Sequence, residues 1–392
     1  MQILKRLYWI IFVFSCVWGA SLPGISIPGI TMFPLRILIA LTLIYDLIIA
    51  VRNNNGKVHV DDCDKYTLLF MGIGLLTIVW SCNKEASKTA ALVYITAIIV
   101  LMQIKARSFN EETKGYLLDA IYINMVLMGF AALYECLNGT YLTVSYEYYY
   151  RTYNIFGMIR PKAAFYNTNN LAVFYMLSLP FGVLATERWA FQNIFKIAII
   201  VFSGIIIILT GSRMGLIAIL LFVALYFLYK VYSSNKSKKF LLIIVFLFAS
   251  AAFIYYVPKN VWSIFEGTNI SDEGRWEIWK GAVNACRHYF LLGSGIGTSK
   301  YAYGSLGSTH NYSLEILLEF GLIGFVTFAV IIRKATPSLY DARNNKEYAY
   351  LRISFWMFLL CSICASSLQG FYYLWMYWGL SLAMMNSMHT NK

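Results

Sequence analysis

Arg213, Arg275 and His310 are the residues best suited to chemistry in a chain that is otherwise largely apolar. Two guanidinium groups are permanent cations that fork onto anionic oxygens. An imidazole titrates near neutral pH and can take or give a proton. Arg213 sits in Thr210-Gly-Ser-Arg-Met-Gly215, between two apolar runs with almost no connecting loop. A charge at that depth costs about 2.5–3.5 kcal/mol or more, which makes it a functional candidate. A helix beginning at this turn adds free N–H groups and a positive dipole end, both favourable to an anion. The plain alternative for Arg213 is an anchor that snorkels to water.

Arg275 follows Gly274, on a stretch where Ser271-Asp-Glu273 can cap a helix start. Trp276, Ile278, Trp279, Val283 and the run 289–292 give that helix a rough apolar face, with Arg275, Lys280 and Arg287 on its polar side. Such a helix lies in a membrane interface with its tryptophans at headgroup depth. His310 opens a later apolar run that carries Glu315 and Glu319, four residues apart on one helix face. Those carboxylates either orient a base or partner basic groups, and spacing does not choose between the two.

The elements that must position these residues are membrane helices. Hydrophobic residues make up 59% of the 392 and charged residues 13%, about half the usual charged share. Apolar runs of about 16–22 residues recur along the chain, long enough to cross hydrocarbon. The ten-residue alternation of a membrane barrel is absent. The fold class is therefore all-α: a polytopic membrane protein with about twelve spans. They lie near 7–22, 33–51, 66–81, 89–105, 116–137, 169–186, 194–210, 213–231, 240–257, 311–332, 350–368 and 371–389. The first reads as a membrane helix and not as a removed leader.

Most of the 32 Lys and Arg fall on one alternating set of connections, which places both termini in the cytoplasm and the three candidates on the outer side. The net charge of +13 reflects that bias, and no nucleic-acid module accompanies it. The whole of 1–392 reads as a single integral-membrane domain. Its outer connections are long near 138–168, rich in tyrosine (Tyr146, Tyr148, Tyr149, Tyr150, Tyr153), and at 258–310, the extracytoplasmic loop with the interfacial helix. The tyrosines are either an aromatic belt or a surface for sugars.

Several chemistries lack their residues. Only four histidines occur, and they are not clustered for a metal. No phosphate-binding Walker loop is present. Gly293-Ser-Gly-Ile-Gly297 has glycine spacing like a dinucleotide loop but none of its strand–helix context. The seven cysteines imply no disulfide framework. A diphosphate is a good leaving group, so two arginines and one base suffice for transfer from a lipid diphosphate to an alcohol.

In this the chain resembles the O-antigen ligase and polymerase superfamily. The resemblance rests on Gly211-Ser-Arg-Met-Gly215, Gly274-Arg-Trp-Glu-Ile-Trp279, Gly293-Ser-Gly-Ile-Gly297 and His310-Asn-Tyr-Ser-Leu-Glu315 through Gly321 and Gly324. The stretch Ala163–Asn170 is also similar. The motifs cover about 160–325, and the remainder matches only in hydropathy and span count.

The resemblance implies a metal-independent glycosyltransferase without a cofactor, in the bacterial cytoplasmic membrane, working on its outer face. Its substrate would be an undecaprenyl-diphosphate-linked oligosaccharide, among membrane lipids. A flippase and a chain-length regulator are the protein partners so implied. Arg213 and Arg275 would contact the diphosphate, and His310 would activate the acceptor hydroxyl. Arg160, Lys162 and Glu315 are weaker candidates for substrate contact. The main expectation is a polysaccharide polymerase. The alternative is a ligase delivering the finished glycan to lipid A core, wall polymer or protein, and a transporter for the same lipid is a third reading.

Overall fold

A computed structural model of the chain describes residues 2–27, 30–52, 61–108, 110–143, 152–165, 167–232, 270–304, 308–364, 368 and 370–389. In chain order the helices are α1 Gln2–Trp18, α2 Pro34–Arg52, α3 Asp62–Leu76, α4 Lys84–Arg107 and α5 Glu111–Asn138. Then come α6 Thr168–Thr186, α7 Gln192–Thr210, α8 Arg213–Tyr232, α9 Ile270–His288, α10 Ser299–Ala302 and α11 Tyr312–Lys334. Last are α12 Leu339–Asn344, α13 Lys346–Cys361 and α14 Tyr372–His389. One short antiparallel pair, Ile25–Ile27 with Ile30–Met32, is the only sheet among the described residues.

Six helical stretches among the described residues are long and apolar enough to cross a membrane: α4, α5, α6, α7, α8 and the one starting at Tyr312. Each expected span falls on a helix except 240–257, which lies outside the described residues, as do Tyr146, Tyr148, Tyr149 and Tyr150. Three expected spans are cut short, the one at 7–22 ending as α-helix at Trp18 before a short 3-10 turn. The one at 66–81 ends as helix at Leu76, because Thr77 to Trp80 form turns that hold a loop described below. The one at 350–368 ends at Cys361. At 17, 15 and 16 residues, α1, α3 and α13 fall below the roughly 20 that a perpendicular crossing requires.

The chain forms two compact units. The first contains Met1–Asn124, Ile270–Thr336 and Ser362–Lys392. There α4 packs along α14, and α3 packs along α11. The centre is aromatic: Phe70 stacks on Phe320 at 5.1 Å between ring centroids, and Tyr94 meets Trp375 edge-on at 6.2 Å. The buried Tyr94 hydroxyl donates to the Phe70 carbonyl at 2.7 Å, so no polar group is orphaned there. Buried Lys105 pairs with Asp61 at 2.5 Å and Asp64 at 2.7 Å, which lets a cation end a helix inside the unit.

The second unit contains Met125–Asn269 and Pro337–Cys361. Here α6 is buried along nearly its whole length, against α7, α8 and α13. At its C-terminal end Glu187 accepts from Lys196 at 2.6 Å, from the Tyr350 hydroxyl at 2.8 Å and from Lys346. These bonds tie α6, α7 and α13 together around one buried carboxylate. Burial raises the Glu187 pKa, but its three donors outweigh this and hold it below the usual range.

Candidate functional site

In the first unit the structure is organised around a break in α11. At Gly321 the backbone takes φ 67° and ψ −172°, so the helix is interrupted within an apolar stretch. A break leaves carbonyls without helical partners. The Gly293–Gly297 loop supplies them: Ser294 N–H donates to Leu318 O at 2.7 Å and Gly295 N–H to Glu319 O at 3.1 Å. In return Leu322 N–H donates to Phe290 O at 2.7 Å. The Glu319 carboxylate accepts from the N–H of Gly297 at 2.8 Å and of Ser299 at 3.1 Å. The other side of the loop is held by the turns after α3. Ile296 N–H reaches Thr77 Oγ1 at 3.0 Å, and Cys82 N–H reaches Ser294 O at 2.9 Å.

This loop joins α9, which bears Arg275, to α11, which follows His310. α9 packs on α11 through its small residues, Ala282, Ala285 and Cys286 against Leu318. The larger apolar side chains point outward instead: Trp276 and Val283 are exposed. The expected apolar face thus divides by size, because only small side chains allow the close helix approach. Trp279 has a specific role: its indole N–H donates to Thr309 O at 2.8 Å, one residue before His310.

His310 has φ 48°, left-handed and costly for a residue with a Cβ, by about 1–2 kcal/mol. The conformation is imposed from both flanks. Thr309 is held by Trp279, Asn311 caps α11 by accepting from Leu314 N–H at 3.1 Å, and Tyr312 N–H donates to Ser362 O at 2.7 Å. The His310 Nδ1 atom is buried with no hydrogen-bond partner among the described residues. Burial first, and the positive charge of Arg275 second, hold the imidazole below its ordinary value of 6.5. Burial and the Arg275 charge thus both disfavour the imidazolium form of His310.

In the second unit, α7 ends at Thr210 and α8 begins at Arg213 after a two-residue turn. Ser212 caps α8, its Oγ accepting from Gly215 N–H at 3.3 Å. Arg213 stands at the first position of α8, where the dipole is positive and a cation is disfavoured. Arg160 comes to the same turn. A Cβ placed on Gly211 would lie 3.0 Å from Arg160 Nε, which itself donates to Tyr153 O at 3.0 Å. Burial, and then the nearby Arg213 charge, push the Arg160 pKa down. Two cations and a helix N-terminus in one place favour a bound anion.

The other candidates are engaged elsewhere. Lys162 is buried with its ammonium 4.5 Å from the Tyr141 ring centre, near Glu135. Glu135 accepts the backbone N–H groups of Leu142, Lys162 and Ala163, and so shapes the segment before α6. Glu315 accepts from Leu368 N–H through both oxygens at 3.3 Å. The partners drawn for the two carboxylates of α11 are thus backbone N–H groups. No group of His, Cys, Asp or Glu able to hold a metal occurs among the described residues. Sequence reasoning missed the anchoring by Glu319 and Trp279; the adjacency of Glu319 to Phe-Gly321 was the available signal.

The fold is that of an all-α protein with helices long and apolar enough to cross a membrane. Comparison with known proteins narrows the class. Residues 198–329, which include Arg213, Arg275 and His310, match the family model described as O-Antigen ligase. The chain is also 23% identical over 264 residues to the Teichuronic acid biosynthesis protein TuaE of Bacillus subtilis (strain 168). That match covers 59% of this chain and 53% of TuaE, so it spans about half the length of the curated relative. The two matches support an O-antigen ligase/polymerase-like protein of polysaccharide assembly in general.

Proposed function

We propose that this protein transfers glycan from a lipid diphosphate to an acceptor hydroxyl, and that it acts as a polysaccharide polymerase. In that reading it is a single integral-membrane domain of about twelve spans, with both termini cytoplasmic and the chemistry on the outer face. The observation that carries the reading is His310, a strained histidine whose imidazolium form burial and Arg275 both disfavour. The acceptor is the hydroxyl of the next undecaprenyl-diphosphate-linked repeat unit. His310 takes its proton while the oxygen bonds to the anomeric carbon. The bond from that carbon to the diphosphate breaks, and the leaving oxygen keeps the electron pair. Arg275, in the unit that holds His310, offsets the negative charge that develops on the phosphates. In the second unit Arg213, with Arg160 beside it, forms a cationic turn suited to an anionic group of the substrate.

A ligase reading is kept because the matched family is described as O-Antigen ligase. Purified protein in nanodiscs, supplied with lipid-linked repeat unit alone, separates the two. Chain extension supports polymerase; extension never occurring, with transfer to an added wall-polymer or lipid acceptor, selects ligase. Binding without any transfer overturns both.

Two expected results follow from the electrostatics. The acidic limb of kcat/KM should fall below pH 6.5, because burial and Arg275 both disfavour imidazolium. Arg275→Gln removes one of these causes, so the limb should move up in pH while activity drops. A limb that stays in place or moves down would exclude His310 as the titrating base. Arg213→Lys should lower kcat/KM by roughly 10–100-fold, since one ammonium cannot fork across two phosphate oxygens. A Lys variant as active as the parent would mean that only charge matters at that turn.

A further inference from the structure

The first unit holds a second cationic feature, at the end of α11 away from His310. A groove of about 690 Å³ runs between α3, the second half of α11 and α14. Its walls are apolar: Phe325, Val326 and Ala329 of α11 with Met385 of α14. Val326 is 52% exposed, so the groove opens outward from the unit. Arg333 and Lys334, in the last turn of α11, close one end.

The surrounding charges leave those two cations available. Asp61 and Asp64 are taken by Lys105, and Asn386 donates a further bond to Asp61 at 2.6 Å. Asp62, whose charge reaches Lys334, is bonded to Lys65 at 2.9 Å. Among the described residues Arg333 donates only to the Thr336 carbonyl, at 3.3 Å, and Lys334 lies over the Tyr66 ring at 5.5 Å. No ion pair among the described residues engages either side chain.

We propose that this groove is a binding site for an anionic glycerophospholipid, its acyl chain along α11 and its phosphate between Arg333 and Lys334. Charge complementarity selects the headgroup, and the apolar walls select the chain. The helix also argues against the transfer substrate as occupant. His310 precedes the start of α11 and Arg333 lies in its last turn, with the break at Gly321 between them. A lipid headgroup held at Arg333 and Lys334 is therefore separate from one held at His310. The site stands whether or not the glycosyl-transfer reading does.

Native mass spectrometry of the full chain in detergent tests it, with phosphatidylglycerol and phosphatidylcholine of equal chain length as probes. The protein should retain phosphatidylglycerol at least about tenfold better, given two headgroup cations. Arg333→Gln with Lys334→Gln should abolish that preference, whereas Lys84→Gln with Lys88→Gln should leave it intact. Val326→Trp fills the groove and should weaken retention of both lipids. Equal retention of the two lipids by the parent protein overturns the proposal. So does an equal loss in both double variants, which would report net charge alone, or displacement by undecaprenyl phosphate in preference to phosphatidylglycerol. Matching thermal unfolding of the variants excludes misfolding as the cause.

Discussion

His310→Asn should lower transfer by about 10²–10⁴-fold while the protein remains folded in the membrane, the range expected for loss of a general base. Asparagine is chosen because it tolerates the left-handed backbone that His310 adopts, with φ 48°. Alanine would mix loss of the base with added strain. The variant keeps the hydrogen bonds around the site, since these come from Trp279, Asn311 and Tyr312 and not from the imidazole. Initial rates with purified lipid-linked substrate give the answer, alongside size-exclusion behaviour and unfolding temperature. A fully active His310→Asn protein would remove the proposed mechanism, whatever the fate of the arginines. A loss confined to KM would make His310 a binding residue and leave the base to be found elsewhere.

Gly293→Ala and Gly321→Ala should each unfold the first unit at far lower temperature than the parent. A Cβ on Gly293 would lie 2.2 Å from Glu319 O, and one on Gly321 would lie 2.3 Å from Leu291 O. Both obstacles are backbone, so no side-chain rotation relieves them. Both residues also have left-handed φ, at 78° and 67°. That conformation alone costs about 1–2 kcal/mol for alanine. Gly304, in the same unit, provides the control: its φ is 69°, but nothing lies within 4 Å of its added Cβ. Gly304→Ala therefore isolates the conformational cost from the clash. Thermal unfolding by size-exclusion fluorescence should rank the three, with Gly304→Ala losing least. Equal losses in all three would mean that the loop does not pack into the helix break.

The membrane helices were legible because hydropathy over twenty residues is a local property that a bilayer imposes directly. A helix within the connection at 258–310 was legible too: α9 occupies Ile270–His288, starting one residue before the capping residues. Its inner face was not. Trp276 and Val283 of the apolar face read from sequence are exposed, and the residues that pack α9 on α11, Ala282, Ala285 and Cys286, were not among those named for it. Hydrophobic size says that a residue avoids water, not whether lipid or protein will cover it.

Among the candidate residues, type and order in the chain marked Arg213, Arg275 and His310, because charge in an apolar chain is costly and therefore informative. Chain order says nothing about which distant segments meet. Only the tertiary structure set Arg160 on the Gly211 turn beside Arg213, and brought Arg275 into electrostatic reach of His310. It also gave Glu315 and Glu319 their backbone partners. The sequence determined a helical membrane protein with rare charges near its helix ends, through local composition and period. Folding decided the break at Gly321, the loop that fills it and the burial that lowers the pKa of His310. Each of these depends on groups far apart in the chain, whose burial and partners no window of sequence contains.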